Sequence, residues 1–187
     1  MKKIFLLPIL FLIFLSFSSC EDDSKNPLPK QVVGQYMKLD IDKSHWQLDY
    51  NDVPNTYFGG TLSNPGGTVV KFNLTVRRSD PDKILTGNYV PLMTITSFPY
   101  ELKITPAMLA EALGLQVSDL KNGDFYRFYG YSYDASGNEA TYRNLSSLNK
   151  STNAMEQGYR FNTELTSNVT AADEESNPYN NRILGDD

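Results

Sequence analysis

An apolar residue at every second position recurs through much of this chain. Between 70 and 77, Val70, Phe72, Leu74 and Val76 alternate with Lys71, Asn73, Thr75 and Arg77. Successive side chains of a strand point to opposite faces, so the pattern predicts a half-buried strand with the polar set outward. Met37, Leu39 and Ile41 alternate with Lys38, Asp40 and Asp42, and Trp46, Leu48 and Tyr50 with His45, Gln47 and Asp49. His45 therefore falls on the solvent face as an ordinary surface imidazole.

Turn chemistry separates these runs: Asn64-Pro65-Gly66-Gly67, Ser79-Asp80-Pro81-Asp82 and Thr86-Gly87-Asn88. Tyr89 to Ile95 and Tyr100 to Ile104 read as two further strands. The first belongs at a sheet edge, because Pro91 cannot donate to a ladder. One helix interrupts the strand pattern. Thr105 supplies an N-cap, Pro106 the first helical position and Gly114 the residue just past the end, with Leu109 and Leu113 on one face. Val117 to Leu120 adds one more turn. The stretch FYRFYGYSYDASGNEATYRNL then predicts a hairpin, Phe125 to Tyr133 out and Glu139 to Arg143 back, turning at Asp134 to Asn138. A last strand covers Gly158 to Leu165 with Tyr159, Phe161 and Leu165 inward. The intervening SSLNKSTNAMEQ reads as a mobile loop.

Short, mostly antiparallel strands at this spacing predict an all-β fold, an immunoglobulin-like antiparallel β-sandwich with one short crossover helix. The Cys-Trp-Cys hallmark of antibody domains is absent, so only the architecture is expected. Twelve Tyr and ten Phe against one His and one Trp agree with strands rather than helices.

The first 19 residues read as a secretory signal: Lys2 and Lys3, an apolar run from Ile4 to Leu15, then Ser16, Ser18 and Ser19. That run is shorter than the roughly 18 residues a membrane span needs, and Pro8 weakens it further. Removing the signal takes two of 17 basic residues, leaving 15 against 22 acidic ones, a net charge of about −7. Such a balance repels phosphate backbones, and nucleic acid is not an expected partner. Residues 20–32 read as a charged, proline-stiffened tether, 33–166 as the sandwich domain, and 167–187 as an acidic, disordered tail.

Cys20 is the single cysteine. It has no intramolecular disulfide partner, so it is a reactive thiol, a link between chains, or a site of modification. Phe17-Ser18-Ser19-Cys20 resembles the lipobox of bacterial lipoproteins, which implies a diacylglycerol on the Cys20 thiol and cleavage just before it. Each buried methylene contributes about 0.8 kcal/mol, so two or three acyl chains would anchor the protein permanently in the outer membrane. The acidic Glu21-Asp22-Asp23 that follows resembles the surface-export signal of Bacteroidota lipoproteins and implies display on the cell exterior.

Residue types restrict the chemistry. With one His, no GxSxG and Cys20 taken by lipid, neither a nucleophilic triad nor a Cys/His metal site is expected. Two carboxylates at about 5 to 9 Å suffice for glycoside hydrolysis, but the acids here fall mainly in turns and the tail. Asp134 to Glu139 resembles the start of a calcium loop without its distal acid, so a plain hairpin turn is expected. Catalytic residues, cofactors and metals are accordingly expected to be none.

The hairpin carries the candidate binding surface. Tyr126 and Phe128 fall on one face, and Phe125, Arg127, Tyr129, Tyr131 and Tyr133 on the other. If the first set is core, Arg127, Tyr129, Tyr131 and Tyr133 form an aromatic ladder suited to stacking on sugars or anchoring a protein. If the second set is core, the ladder is simply packing. Trp46 and Tyr57-Phe58 carry the same two readings.

Thr96-Ser97-Phe98-Pro99, the strand to Ile104, the TPAMLAEALGL helix, the VSDLKNGD turn and the aromatic hairpin together resemble small lipoproteins encoded beside starch-utilisation-system-type nutrient importers of Bacteroidota. The likeness spans residues 33 to 165 at the level of pattern. It implies a non-catalytic accessory capture or assembly subunit, with an outer-membrane barrel and its lid lipoprotein as partners and a glycan or oligopeptide as cargo. Two alternatives stay open: an independent glycan-binding protein using exposed aromatics, and a structural envelope or adhesin subunit.

Overall fold

A computed structural model of the chain describes residues 34–79, 85–151 and 156–170. Cys20, the expected leader and the whole of the expected tether lie outside them, as does the expected tail from residue 171 onward.

The strands are β1 (Lys38–Ile41), β2 (Leu48–Asp49), β3 (Phe58–Ser63), β4 (Val69–Ser79), β5 (Leu85–Ile95), β6 (Tyr100–Ile104), β7 (Asp124–Asp134), β8 (Glu139–Thr141) and β9 (Arg160–Thr166). Two helices, α1 (Pro106–Leu113) and the single turn α2 (Ser147–Ser151), lie among them. One sheet has the order β1-β3-β6 and the other β2-β9-β7-β4-β5, with β8 added to β7. All pairings are antiparallel except β2 with β9.

The sheets meet through the apolar faces that the alternation marks. Leu39, Phe58, Leu62, Leu102 and Ile104 of the smaller sheet share one core with Phe72, Leu74, Val76, Tyr126, Phe128, Phe161 and Leu165 of the larger. The Phe58 ring stacks on Phe128 at 5.8 Å and on Phe161 at 5.6 Å, joining the two layers directly. The all-β sandwich expected from the period of two is the observed architecture.

The structure corrects the strand expectations locally. Val70 is 48% exposed, and Val69 is buried in its place. A register shift between Val69 and Lys71 against β7 displaces the alternation there, and a one-residue slip exchanges the faces. The run around Trp46 pairs only at Leu48–Asp49, then enters a 3-10 turn at Tyr50–Asp52 with the Asp49 carboxylate accepting from the Asn51 amide. The segment read as a mobile loop contains α2, with the Ser146 hydroxyl accepting from the Asn149 amide.

Thr86-Gly87-Asn88, read as a turn, instead lies within β5 beside a register shift, with Gly87 at φ 74, whereas the expectations for Pro91 and for α1 hold. β5 ends the larger sheet, with Pro91 opposite Thr75 beside a register shift. The Thr105 hydroxyl accepts from the Met108 amide to cap α1, which ends at Gly114 with φ 68 and links one sheet to the other. Ser167 and Thr170, expected to belong to the tail, are bonded to the sandwich. The Ser167 amide donates to Asn122 at 2.8 Å, and the Thr170 carbonyl accepts the Trp46 indole N–H at 2.8 Å.

Buried polar groups fix the ends of β7. Asp124, fully buried, bonds Arg78 at 2.8 Å and accepts from the Lys121 amide at 2.7 Å. Toward the other end, Ser132 and the Tyr159 hydroxyl lie 2.8 Å apart, and that hydroxyl donates to the Gln35 carbonyl at 2.9 Å. Burial pushes the Tyr159 phenol up to about 12.

Candidate functional site

β7 is the central strand of the larger sheet and decides which aromatic face is outward. β4 covers one of its edges throughout. Its other edge pairs with β9 from Asp124 to Tyr129, then with β8 from Tyr131 to Tyr133. Tyr126 and Phe128 are fully buried against the smaller sheet. The ladder reading of the hairpin is therefore the observed one for Tyr129, Tyr131 and Tyr133, which are half-buried on the opposite face.

A glycine makes this orientation possible. Gly130 interrupts the aromatic run on the inward face, where a Cβ would lie 2.2 Å from Cζ of Phe72. The Phe72 ring thus fills the side-chain space of residue 130, and the tyrosines on either side are left outward.

Where β7 exchanges β9 for β8, the outer face opens into a cleft of about 630 Å³. Tyr129 and Tyr131 form its floor, with their cross-strand neighbours Arg160 and Thr141 beside them. Arg77 of β4 and Tyr89 of β5 stand on one side. Tyr142, Arg143 and Lys150, from the segment after β8, stand on the other. Tyr89, Tyr129 and Tyr131 form a run of tilted rings, with centroids 5.8 Å and then 5.2 Å apart. A second cleft of about 570 Å³ shares Tyr89, Tyr131 and Glu139 with the first and extends to Tyr133 and Pro91.

Cations sit on the rings. The Arg77 guanidinium lies 5.9 Å from the Tyr89 centroid, and Tyr142 faces both Arg160 at 5.1 Å and Lys150 at 5.3 Å. Tyr133 of the second cleft has Lys71 4.3 Å from its ring, and its hydroxyl donates to Glu139 at 2.7 Å. That bond to a carboxylate holds the Tyr133 phenol above its ordinary range, and burial does the same for Tyr131. Both rings are neutral at pH 7.

Two of the sequence candidates lie elsewhere. Trp46 is not an exposed platform: it is 8% exposed, with its indole N–H held by Thr170 and its carbonyl by the Thr163 hydroxyl. Arg127 is on the outer face as expected but is 3% exposed and does not line the clefts, because neighbouring strands flank it on both sides through Arg77 and Asn162. Phe58 is core, while Tyr57 stacks on His45 at 4.1 Å with Lys103 over it at 4.2 Å.

His45 is half-exposed and tied to Asp42, Nδ1 to Oδ2 at 2.7 Å. Bonds from the Ser44 amide and His45 hold the Asp42 carboxyl below its ordinary range. The Asp134 carboxylate, the first oxygen group of the calcium-like stretch, is occupied by its own turn: it accepts from the Ser136 and Asn138 amides and the Asn138 side chain. Among the described residues no group of three or more acids, His or Cys is placed to hold a metal ion.

Reasoning from sequence alone did not join Arg77, Arg143, Lys150 and Arg160. Arg77 was legible as outward from the β4 alternation, and Arg160 from its place between inward Tyr159 and Phe161. Arg143 and Lys150 had no such signal, since a turn and α2 bring them to the cleft. No protein-family model and no curated protein matches this chain.

Proposed function

We propose that this chain is a non-catalytic, surface-exposed outer-membrane lipoprotein, anchored through Cys20, that serves as an accessory capture or assembly subunit of an importer of the starch-utilisation-system type. The observation that carries the capture role is the outward turn of Tyr129 and Tyr131 onto a cleft of a rigid sheet, while Tyr126 and Phe128 of the same strand fill the core. Aromatic rings fixed by a scaffold present a broad contact face at low entropic cost on binding. The lipobox and acidic tether supply the anchoring part, and the sequence likeness over residues 33 to 165 the importer part.

An immunoglobulin-like topology goes with this reading. The order β1-β3-β6 against β9-β7-β4-β5 corresponds to strands A, B and E facing G, F, C and C′ of a variable-type domain. The central strands of such a sandwich present a continuous outer face, and here that face carries the clefts.

The test is a pull-down of the tagged chain from detergent-extracted outer membrane. Recovery of a barrel and a lid lipoprotein supports the importer role, and recovery of neither overturns it. The contiguous aromatic clefts favour a second reading, an independent glycan-binding protein. Its mark is glycan retention without any importer component.

A further inference from the structure

The full chain has a formal charge of −5, yet the first cleft is basic. Arg77, Arg143, Lys150 and Arg160 line it against one carboxylate, Glu139. Glu139 already accepts the Tyr133 hydroxyl at 2.7 Å. Among the described residues none of the four cations forms a salt bridge: the ion pairs there, Lys38 with Glu156, His45 with Asp42 and Arg78 with Asp124, involve other groups. Nε of Arg77 has no hydrogen-bond partner, and Lys150 donates to the Arg143 carbonyl at 3.2 Å and lies over the Tyr142 ring, neither of which neutralises its charge.

Four like charges around one depression repel each other when it is empty, and an anion relieves that repulsion. Guanidinium groups also suit carboxylate and sulfate geometry, since they donate two parallel bonds. Charge alone would fit an acidic peptide. The run of Tyr89, Tyr129 and Tyr131 adds flat faces at 5.8 and 5.2 Å intervals, continuing into a second cleft toward Tyr133. A polymer of rings uses such a track, and a polyglutamate chain does not.

We propose that the clefts bind an anionic polysaccharide bearing carboxylate or sulfate groups. Arg143 and Arg160 hold the anions, and Tyr129 and Tyr131 stack on the sugar rings. The inference rests on the capture reading above and names its cargo class.

Affinity electrophoresis and calorimetry of the full chain in detergent test it. The panel is polygalacturonate, its methyl ester, dextran sulfate, dextran and poly-glutamate. Polygalacturonate or dextran sulfate binds, and which of them does identifies the anion. The methyl ester and dextran do not, and affinity falls as salt rises. Arg143→Gln and Arg160→Gln each weaken binding about tenfold, the loss of one charge-assisted bond, and so does Tyr129→Ala. Unchanged thermal melts of these variants exclude misfolding as the cause.

Equal binding of neutral and anionic polymers overturns the charge assignment, and tight binding of poly-glutamate insensitive to Tyr129→Ala overturns the sugar assignment in favour of an acidic peptide. Binding of no polymer while the barrel still co-purifies overturns this inference and leaves the importer role standing. Binding of polygalacturonate with no co-purifying barrel does the reverse.

Discussion

Gly130→Ala tests how the tyrosine face is kept outward. The added methyl would meet Phe72 at 2.2, 2.8 and 3.1 Å from Cζ, Cε2 and Cε1. Carbon contacts are optimal at about 3.5 to 4.0 Å, so the ring must retreat by more than about 1 Å. Phe72 is fully buried, and its centroid lies 5.9 Å from that of Tyr159, whose hydroxyl is held by Ser132 and Gln35. Overpacking of this kind costs about 1 to 3 kcal/mol, and a ring with no room places it at the upper end. Alanine is itself better than glycine in a strand by about 0.5 to 1 kcal/mol. The net loss is about 2 kcal/mol, or about 4 to 8 °C in Tm. In a Phe72→Ala background, already weakened by about 3 to 5 kcal/mol, the methyl enters free space and the same substitution stabilises by about 0.5 kcal/mol. Urea denaturation followed by circular dichroism on the four chains of this cycle measures both values. An equal loss in the two backgrounds would refute the steric account.

Three further predictions concern the buried polar groups and the anchor. Asp124→Asn leaves the half-buried Arg78 charge without its compensating carboxylate and costs about 3 to 5 kcal/mol by denaturant midpoint; a loss under about 1 kcal/mol would show the pair to be idle. Tyr159 is protonated in the fold up to about 12 and loses its proton near 10 when unfolded. Its contribution of about 2 to 3 kcal/mol is thus complete below pH 10 and lost between pH 10 and 12. Tyr159→Phe removes that part of the alkaline decline, while Tyr126, shifted the same way by burial, keeps its own; parallel curves for the two proteins would contradict this. Cys20→Ser releases the protein from the membrane into the soluble fraction, and a variant that stays membrane-bound would refute the lipid anchor.

The fold was legible wherever one rule governed a segment. Alternation placed Phe72, Leu74 and Val76 inward, and Thr105, Pro106 and Gly114 bounded α1 because each meets a backbone requirement of a helix end. It failed at Val70, where a register shift against another strand, invisible locally, exchanged the faces. The hairpin face was undecidable from β7 alone, since both faces are aromatic. What decides it is Phe72 above Gly130, a contact between positions 58 residues apart in sequence. Trp46 carried the same two readings, platform or packing, and a carbonyl 124 residues later decides for packing by satisfying its N–H. Arg143 and Lys150 reach the cleft through a 3-10 turn and α2, and no periodicity marks such positions.

The central claim is that the outer face of β7 receives a ligand. Carbon-13 labelling of the tyrosine rings, with NMR spectra recorded while polygalacturonate or dextran sulfate is added, locates binding directly. The account predicts that the Tyr129 and Tyr131 signals shift in a saturable way while those of the core residues Tyr126 and Tyr159 stay in place. Saturable shifts confined to Tyr57 or Tyr50, with Tyr129 and Tyr131 unmoved, would contradict it.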